Sequence, residues 1–171
     1  MKTSLIITFI GADRPGLVNL LAERATAAGA NWLESSMSNL AGKFAGVVRL
    51  EVAAGDLEKL EASLRALESD GLRVTIERGN ATSDVPFSAI KLELVGHDRP
   101  GIVRDISAAL ARQGASISKI ETVCENASFS GEPLFRASID VQVPLTVQAS
   151  ALQSELEALA NELMVDLRTT A

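Results

Sequence analysis

The amino-acid sequence predicts an α+β protein made of two consecutive copies of one βαββαβ unit. The string GADRPGLV at residues 11–18 returns as GHDRPGIV at residues 96–103, an offset of 85 residues that the surrounding apolar positions share. Stretches with the period of a strand and stretches with the period of a helix also follow one another in the same order twice. Because the 171 residues are 47% hydrophobic and 22% charged, the chain has enough apolar residues to bury a core.

The first copy begins with TSLIITFI, which is short, rich in β-branched residues and ended by Gly11, and is therefore predicted to be a buried strand. A helix from about Pro15 follows, and Gly29 stands where a helix stop is expected. Residues 31–40 are predicted to be extended, and GVVRLEV alternates like a half-buried strand. DLEKLEASLRALES is predicted to be a helix capped by Asp56, with LRVTIE as the last strand. The predicted inward residues are Leu17, Leu21, Ala25, Val48, Leu50, Val52, Leu57, Leu60, Leu64, Leu67, Leu72, Val74 and Ile76.

The second copy repeats this order. Its predicted elements are strand 88–96, helix 100–113, strands 116–124 and 134–143, helix 147–161 and strand 163–168. Both helices of a unit need an apolar sheet face, and right-handed crossovers place them on one side of a four-stranded antiparallel sheet. Each copy is thus predicted to be ferredoxin-like, with its other sheet face largely solvated. The predicted domains are 1–79 and 88–171, with a linker at 80–87 in the segment around RGNATSDVP.

Composition limits the compartment and the class of partner. A net charge of −6 and a pI near 4.9 argue against direct nucleic-acid binding, which draws on lysine and arginine. One cysteine, Cys124, excludes an internal disulfide, and one histidine, His97, leaves few metal ligands. No apolar run is long enough for a signal peptide or a membrane span. We therefore expect a cytoplasmic protein with no cofactor, no metal, no membrane partner and no direct nucleic-acid partner.

The repeated Asp-Arg-Pro-Gly tetrad joins the first strand of each copy to the first helix. Proline lacks an N–H and fits the first helical turn, and the Asp or Arg of each tetrad is predicted at the capping position. Gly16 and Gly101 have no Cβ, so that another group can approach the exposed amides closely. Such amides attract anions, the carboxylate of an amino acid among them. The alternative is that the tetrad only makes a good helix start.

Two such units, each with Gly-x-Asp-Arg-Pro-Gly-[Leu/Ile]-Val followed by Gly-Ala and a strand, resemble tandem ACT domains over essentially the whole chain. The chain is also similar to the glycine cleavage system transcriptional repressor family. In ACT domains small ligands, usually amino acids, bind at a domain interface against this first loop and the start of the second strand. The resemblance implies ligand-binding roles for Asp13, Arg14, Pro15, Gly16, Leu17, Asn31, His97, Asp98, Arg99, Pro100, Gly101, Ile102 and Ser116.

The same resemblance implies a function. It implies a non-enzymatic allosteric regulator that senses a small amino acid, with glycine the first candidate. Its output would be repression of glycine cleavage genes through contact with a separate DNA-binding activator, and we expect a homo-oligomer. The copies differ at two of these positions, where Ala12 is replaced by His97 and Asn31 by Ser116. The two loops therefore need not bind the same ligand, and it is not required that both of them bind a ligand.

Two other classes of function stay open at this point. A ligand-free interaction module would use the tetrads as helix starts and its sheet edges to control assembly of a partner protein or enzyme. An enzyme would need a nucleophile, a base and an orienting group close together in space. His97 and Asp98 are neighbours, but Cys124 lies at the end of another strand, and no catalytic residue is predicted. Cys124 is interpreted as a small apolar residue replacing Asn39, and Trp32 as a packing residue.

Overall fold

The computed structural model describes residues 2–79, 86–126, 133–158 and 164–169. The chain divides into two compact units, Met1–Ser83 and Asp84–Ala171. Most of the predicted linker 80–87 lies outside the described residues, as do the end of the predicted helix 147–161 and the first residue of the predicted strand 163–168. Among the described residues no helix is long and apolar enough to cross a membrane.

The first unit contains one antiparallel sheet with strand order β2-β3-β1-β4. Its elements are β1 (Lys2–Ala12), α1 (Leu17–Ala27), β2 (Asn31–Leu40), β3 (Lys43–Ala53), α2 (Leu57–Arg65) and β4 (Leu72–Arg78). Short 3₁₀ segments at Ala54–Asp56 and Ala66–Asp70 flank α2, and Gly29 follows the end of α1 as predicted.

The second unit repeats the arrangement with strand order β6-β7-β5-β8, again antiparallel. Its elements are β5 (Phe87–His97), α3 (Ile102–Arg112), β6 (Ser116–Asn126), β7 (Pro133–Pro144), α4 (Ala149–Ala158) and β8 (Met164–Thr169). The predicted fold class, two ferredoxin-like βαββαβ units, is confirmed.

Each unit has a core of its own, built almost entirely from aliphatic side chains. In the first unit Leu60, Leu64 and Leu67 are fully buried, as the helical spacing predicts. Of the other predicted inward residues, Leu57, Val74 and Ile76 pack against this core while partly exposed, and the rest are buried. Trp32 also packs against the core, in agreement with its predicted role. Because burying a leucine side chain stabilises the folded state by about 1.5–3 kcal/mol, these clusters stabilise the packing of the helices on the sheets.

Both first helices begin later than predicted. α1 starts at Leu17 and α3 at Ile102, each two residues after the proline that was expected to open it. The residue between is a glycine in the left-handed region, with φ 88° at Gly16 and φ 86° at Gly101. Glycine at positive φ directly after proline is the geometry of a type II turn, and the turn closes before the helix begins.

The turn also changes the capping of both helices. Glycine occupies each N-cap position and no side chain caps either helix, so the expectation that Asp13 or Arg14, and Asp98 or Arg99, would do so is wrong. Asp56 does precede α2, but its side chain makes no capping hydrogen bond.

Candidate functional site

The two tetrads form corresponding loops, here called the first loop (residues 13–16) and the second loop (residues 98–101). Each follows a central strand of its sheet, β1 or β5, and leads into the helix packed on that sheet. The side chains of Asp13, Arg14 and Pro15 are exposed. The first loop therefore presents charged groups and a helix N-terminus on the surface of its unit.

The first loop is held by the tip of the β2–β3 hairpin. The backbone N–H of Asp13 donates to the carbonyl oxygen of Gly42 at 3.0 Å. The Asn39 side-chain amide donates to the Asp13 carboxylate. These two contacts fix the position of Asp13 while its side chain stays accessible.

Arg14 carries a charge that none of the described carboxylates neutralises. Its Nη2 donates to the backbone carbonyl of Asp70 at 3.0 Å. The carboxylate of Asp70 pairs instead with Arg24, at 3.4 Å. Within the described parts of the chain no other carboxylate forms an ion pair with Arg14, so its remaining N–H groups can bind an external anion.

The N-terminus of α1 beside Arg14 is open. The Leu20 N–H donates to the Gly16 carbonyl at 2.9 Å, and the amides before it have no intrahelical acceptor. A Cβ at Gly16 would meet no atom within 4 Å. Because unsatisfied amides and the helix dipole favour negative charge, this end of α1 can take an anion.

The second loop uses the same backbone plan with different side chains. The Asp98 N–H donates to the Pro133 carbonyl at 3.1 Å. Partial desolvation raises the pKa of the Cys124 thiol, and the negative charge of Asp98 raises it further. Cys124 is exposed and does not belong to the core, and the charge of a loop carboxylate acts on its thiol. His97, also exposed, is the last residue of β5.

A carboxylate of the protein lies against the arginine of the second loop. Arg99 Nη1 donates to Asp105 Oδ2 at 2.7 Å, and Arg104 donates to Asp105 Oδ1 through Nε at 3.0 Å and Nη2 at 2.9 Å. The hydrogen bonds from Arg99 and then Arg104 hold the pKa of Asp105 below its usual value. A Cβ at Gly101 would lie 3.1 Å from Arg104 Nη2, so this guanidinium lies over the loop.

Two of the predicted ligand-binding side chains lie at the far end of their own sheets. Asn31 pairs with Glu51, which pairs with Ser4, whereas the first loop follows Ala12. Eight residues of extended strand separate those ends by about 27 Å. Ser116 lies in the same way at the far end of β6. Within one unit, therefore, neither residue joins the loop with which the resemblance grouped it.

Two others are core residues. The side chains of Leu17 and Ile102 are only 3% and 6% exposed and belong to the hydrophobic clusters. Neither can offer a ligand its side chain, and Leu17 can offer its backbone amide. The Ile102 amide already donates to the Arg99 carbonyl at 3.3 Å.

The loop ends of β2 and β6 bring in residues that the sequence analysis did not assign to a site. Asn39 and Cys124 occupy equivalent positions there; Asn39 donates to the Asp13 carboxylate, and the charge of Asp98 acts on the Cys124 thiol. Counting back from the turn at Gly42 along an antiparallel hairpin would have placed Asn39 level with the end of β1. Val18 and Val103, in the first turn of each helix, are 47% and 43% exposed.

The ACT domain family model matches residues 3–77 and 89–170. The glycine cleavage system transcriptional repressors of Escherichia coli (strain K12) and Shigella flexneri are each 24% identical over 162 residues, covering 93% of this chain and 85% of theirs.

Two crystal structures share the fold over nearly their full length. An unknown protein from Galdieria sulphuraria has a TM-score of 0.82 and 27% identity, with 100% of both chains covered. A protein provisionally assigned as a glycine cleavage system transcriptional repressor has a TM-score of 0.74 and 20% identity, with 99% of this chain and 98% of that chain covered.

Proposed function

The chain belongs to the ACT domain family, and from this premise we propose that it is a non-enzymatic regulator that senses a small amino acid at the first loop. Its similarity to two glycine cleavage system transcriptional repressors supports a regulatory ACT protein. Glycine is the first candidate effector. The proposed output is repression of glycine cleavage genes in the cytoplasm, through contact with a DNA-binding activator.

The observation that carries this proposal is the state of Arg14. An arginine that pairs with none of the carboxylates in the described segments stands beside the open N-terminus of α1, where a guanidinium and backbone amides can bind one carboxylate together. The exposed carboxylate of Asp13, in the same loop, supplies the opposite charge for an ammonium group. A small zwitterion matches these two charges, whereas a simple anion matches only the first.

Regulation follows if the ligand binds one arrangement of the protein better than another. A ligand can shift an equilibrium only by its difference in affinity for the two states. The net charge of −6 supports an output through protein contact, because nucleic acid would repel such a surface.

The proposal predicts that glycine binds the wild-type chain and that Arg14→Gln weakens this binding at least tenfold. Isotope-labelled protein titrated with glycine, alanine and serine into the millimolar range gives the affinity from amide shifts, since a Kd of about 1 mM corresponds to about 4 kcal/mol. Arg78→Gln is the matched control: it removes the same charge from an exposed position at the end of β4. This variant should bind like wild type.

The outcome against the proposal is equally clear. If none of the three amino acids gives saturable shifts, the first loop is not their sensor. The ligand-free interaction module then becomes the better explanation of the repeated tetrads.

A further inference from the structure

The two loops share their sequence but differ in what faces their arginines. At the offset of 85 residues, Leu20 corresponds to Asp105 and Asn19 to Arg104. Leu20 packs against the core of the first unit. The Asn19 amide donates to Glu23 Oε1 at 2.7 Å, along its own helix and not towards the loop.

In the second unit the residues at the same two positions, Arg104 and Asp105, contact the second loop. Asp105 accepts three hydrogen bonds from Arg99 and Arg104, and its side chain is only 23% exposed. Arg104 at the same time covers the position where a Cβ of Gly101 would lie. Groups of the chain itself thus contact the second loop at three places: its arginine, its turn glycine and the first amide of the following helix.

We propose that Asp105 is an internal occupant of the second loop, so that the chain binds one amino acid, at the first loop. The Asp105 carboxylate binds Arg99 in the way that the carboxylate of the ligand binds Arg14. This inference rests on the proposed function, because it assumes that the first loop binds an amino acid. Arg99 is then occupied by Asp105 even when no ligand is present. The two copies therefore have different roles.

The competition at Arg99 favours the internal carboxylate. Asp105 is fixed on α3, six residues from Arg99, so its effective concentration there is on the order of millimolar or above. A free amino acid must exceed that concentration to displace it. Two hydrogen bonds from Arg104 to the other oxygen of Asp105 also hold this carboxylate in place.

The test is the number of glycine molecules bound per full-length chain. Isothermal titration with glycine is expected to give one site for wild type and two for Asp105→Leu, which installs the residue found at the equivalent position of the first unit. Arg14→Gln should abolish binding in the wild-type background. Arg14→Gln combined with Asp105→Leu should retain one site, which Arg99→Gln should then remove.

Asp105→Asn serves as the second variant, because it keeps the shape of the side chain and removes its charge. Circular dichroism and thermal unfolding show which variants are folded. Two sites on wild type, or a single wild-type site lost by Arg99→Gln and kept by Arg14→Gln, would overturn the inference and leave amino-acid sensing intact. One site on both folded Asp105 variants would overturn it as well. If neither wild type nor any variant binds glycine, alanine or serine, the proposed function is overturned, and this inference with it.

Discussion

At the scale of single residues, Arg14 and Arg99 have identical sequence neighbours and different partners. Arg14 donates to a neutral carbonyl, and Arg99 donates to the carboxylate of Asp105. A guanidinium that already holds a carboxylate has lost most of its attraction for a second one. The partner of the tetrad arginine therefore differs between the copies because residue 105 is an aspartate where residue 20 is a leucine, outside the repeated string.

The lowered pKa of Asp105 predicts a stability difference that depends on pH. A carboxyl whose pKa is lower in the folded than in the unfolded chain stabilises the fold above the unfolded pKa, about 3.9, and this contribution is lost as the pH falls through the folded pKa. Asp105→Asn should thus be less stable than wild type at pH 7, and the difference should vanish in acid. Urea unfolding of both proteins between pH 2 and pH 7 measures it. A difference that is constant over this range would contradict the assigned ion pairs.

The left-handed backbone at Gly16 predicts a cost for any side chain there. Because a Cβ would meet no atom, Gly16→Ala should destabilise the first unit only through backbone strain, by about 1–2 kcal/mol. Gly16→Asn should cost less, since asparagine tolerates this region. Urea unfolding checks both. Equal losses for the two variants would show that something other than φ is responsible.

At the scale of elements, periodicity predicted the interiors of strands and helices better than their ends. The alternation in GVVRLEV and the leucine spacing of α2 both reflect which face of the element is buried. The ends depend on local backbone geometry. The Pro-Gly turn moved the starts of α1 and α3, and the end of the predicted second helix became the 3₁₀ segment Ala66–Asp70.

The buried face of α2 predicts a large effect of truncation. Leu64 is fully buried in the first core, so Leu64→Ala should destabilise the first unit by about 2–5 kcal/mol through lost burial and the cavity left behind. Leu57→Ala, on the same helix but only partly buried, is the matched control and should cost clearly less. Thermal or urea unfolding gives both values. Similar losses would contradict the orientation of α2.

At the scale of the whole molecule, a duplicated chain forms two units with separate cores and unequal loops. The same strand order appears twice, so the fold was retained in both copies. The surroundings of the loops were not retained, as Leu20 and Asp105 demonstrate. The duplicated sequence therefore forms two units of the same fold; among the described residues the tetrad arginine of the second unit pairs with a carboxylate and that of the first unit does not.

The sequence by itself determined the repeat, the fold class and the position of the two tetrads between strand and helix, because repeated strings and apolar periods report burial and turn chemistry directly. Only the tertiary structure decided which residues meet. Strand register carried Asn39 and Cys124 to the loops and left Asn31 and Ser116 at the far ends of their strands. Register and helix packing depend on contacts between residues distant in the chain, and no local pattern around Arg14 or Arg99 records them.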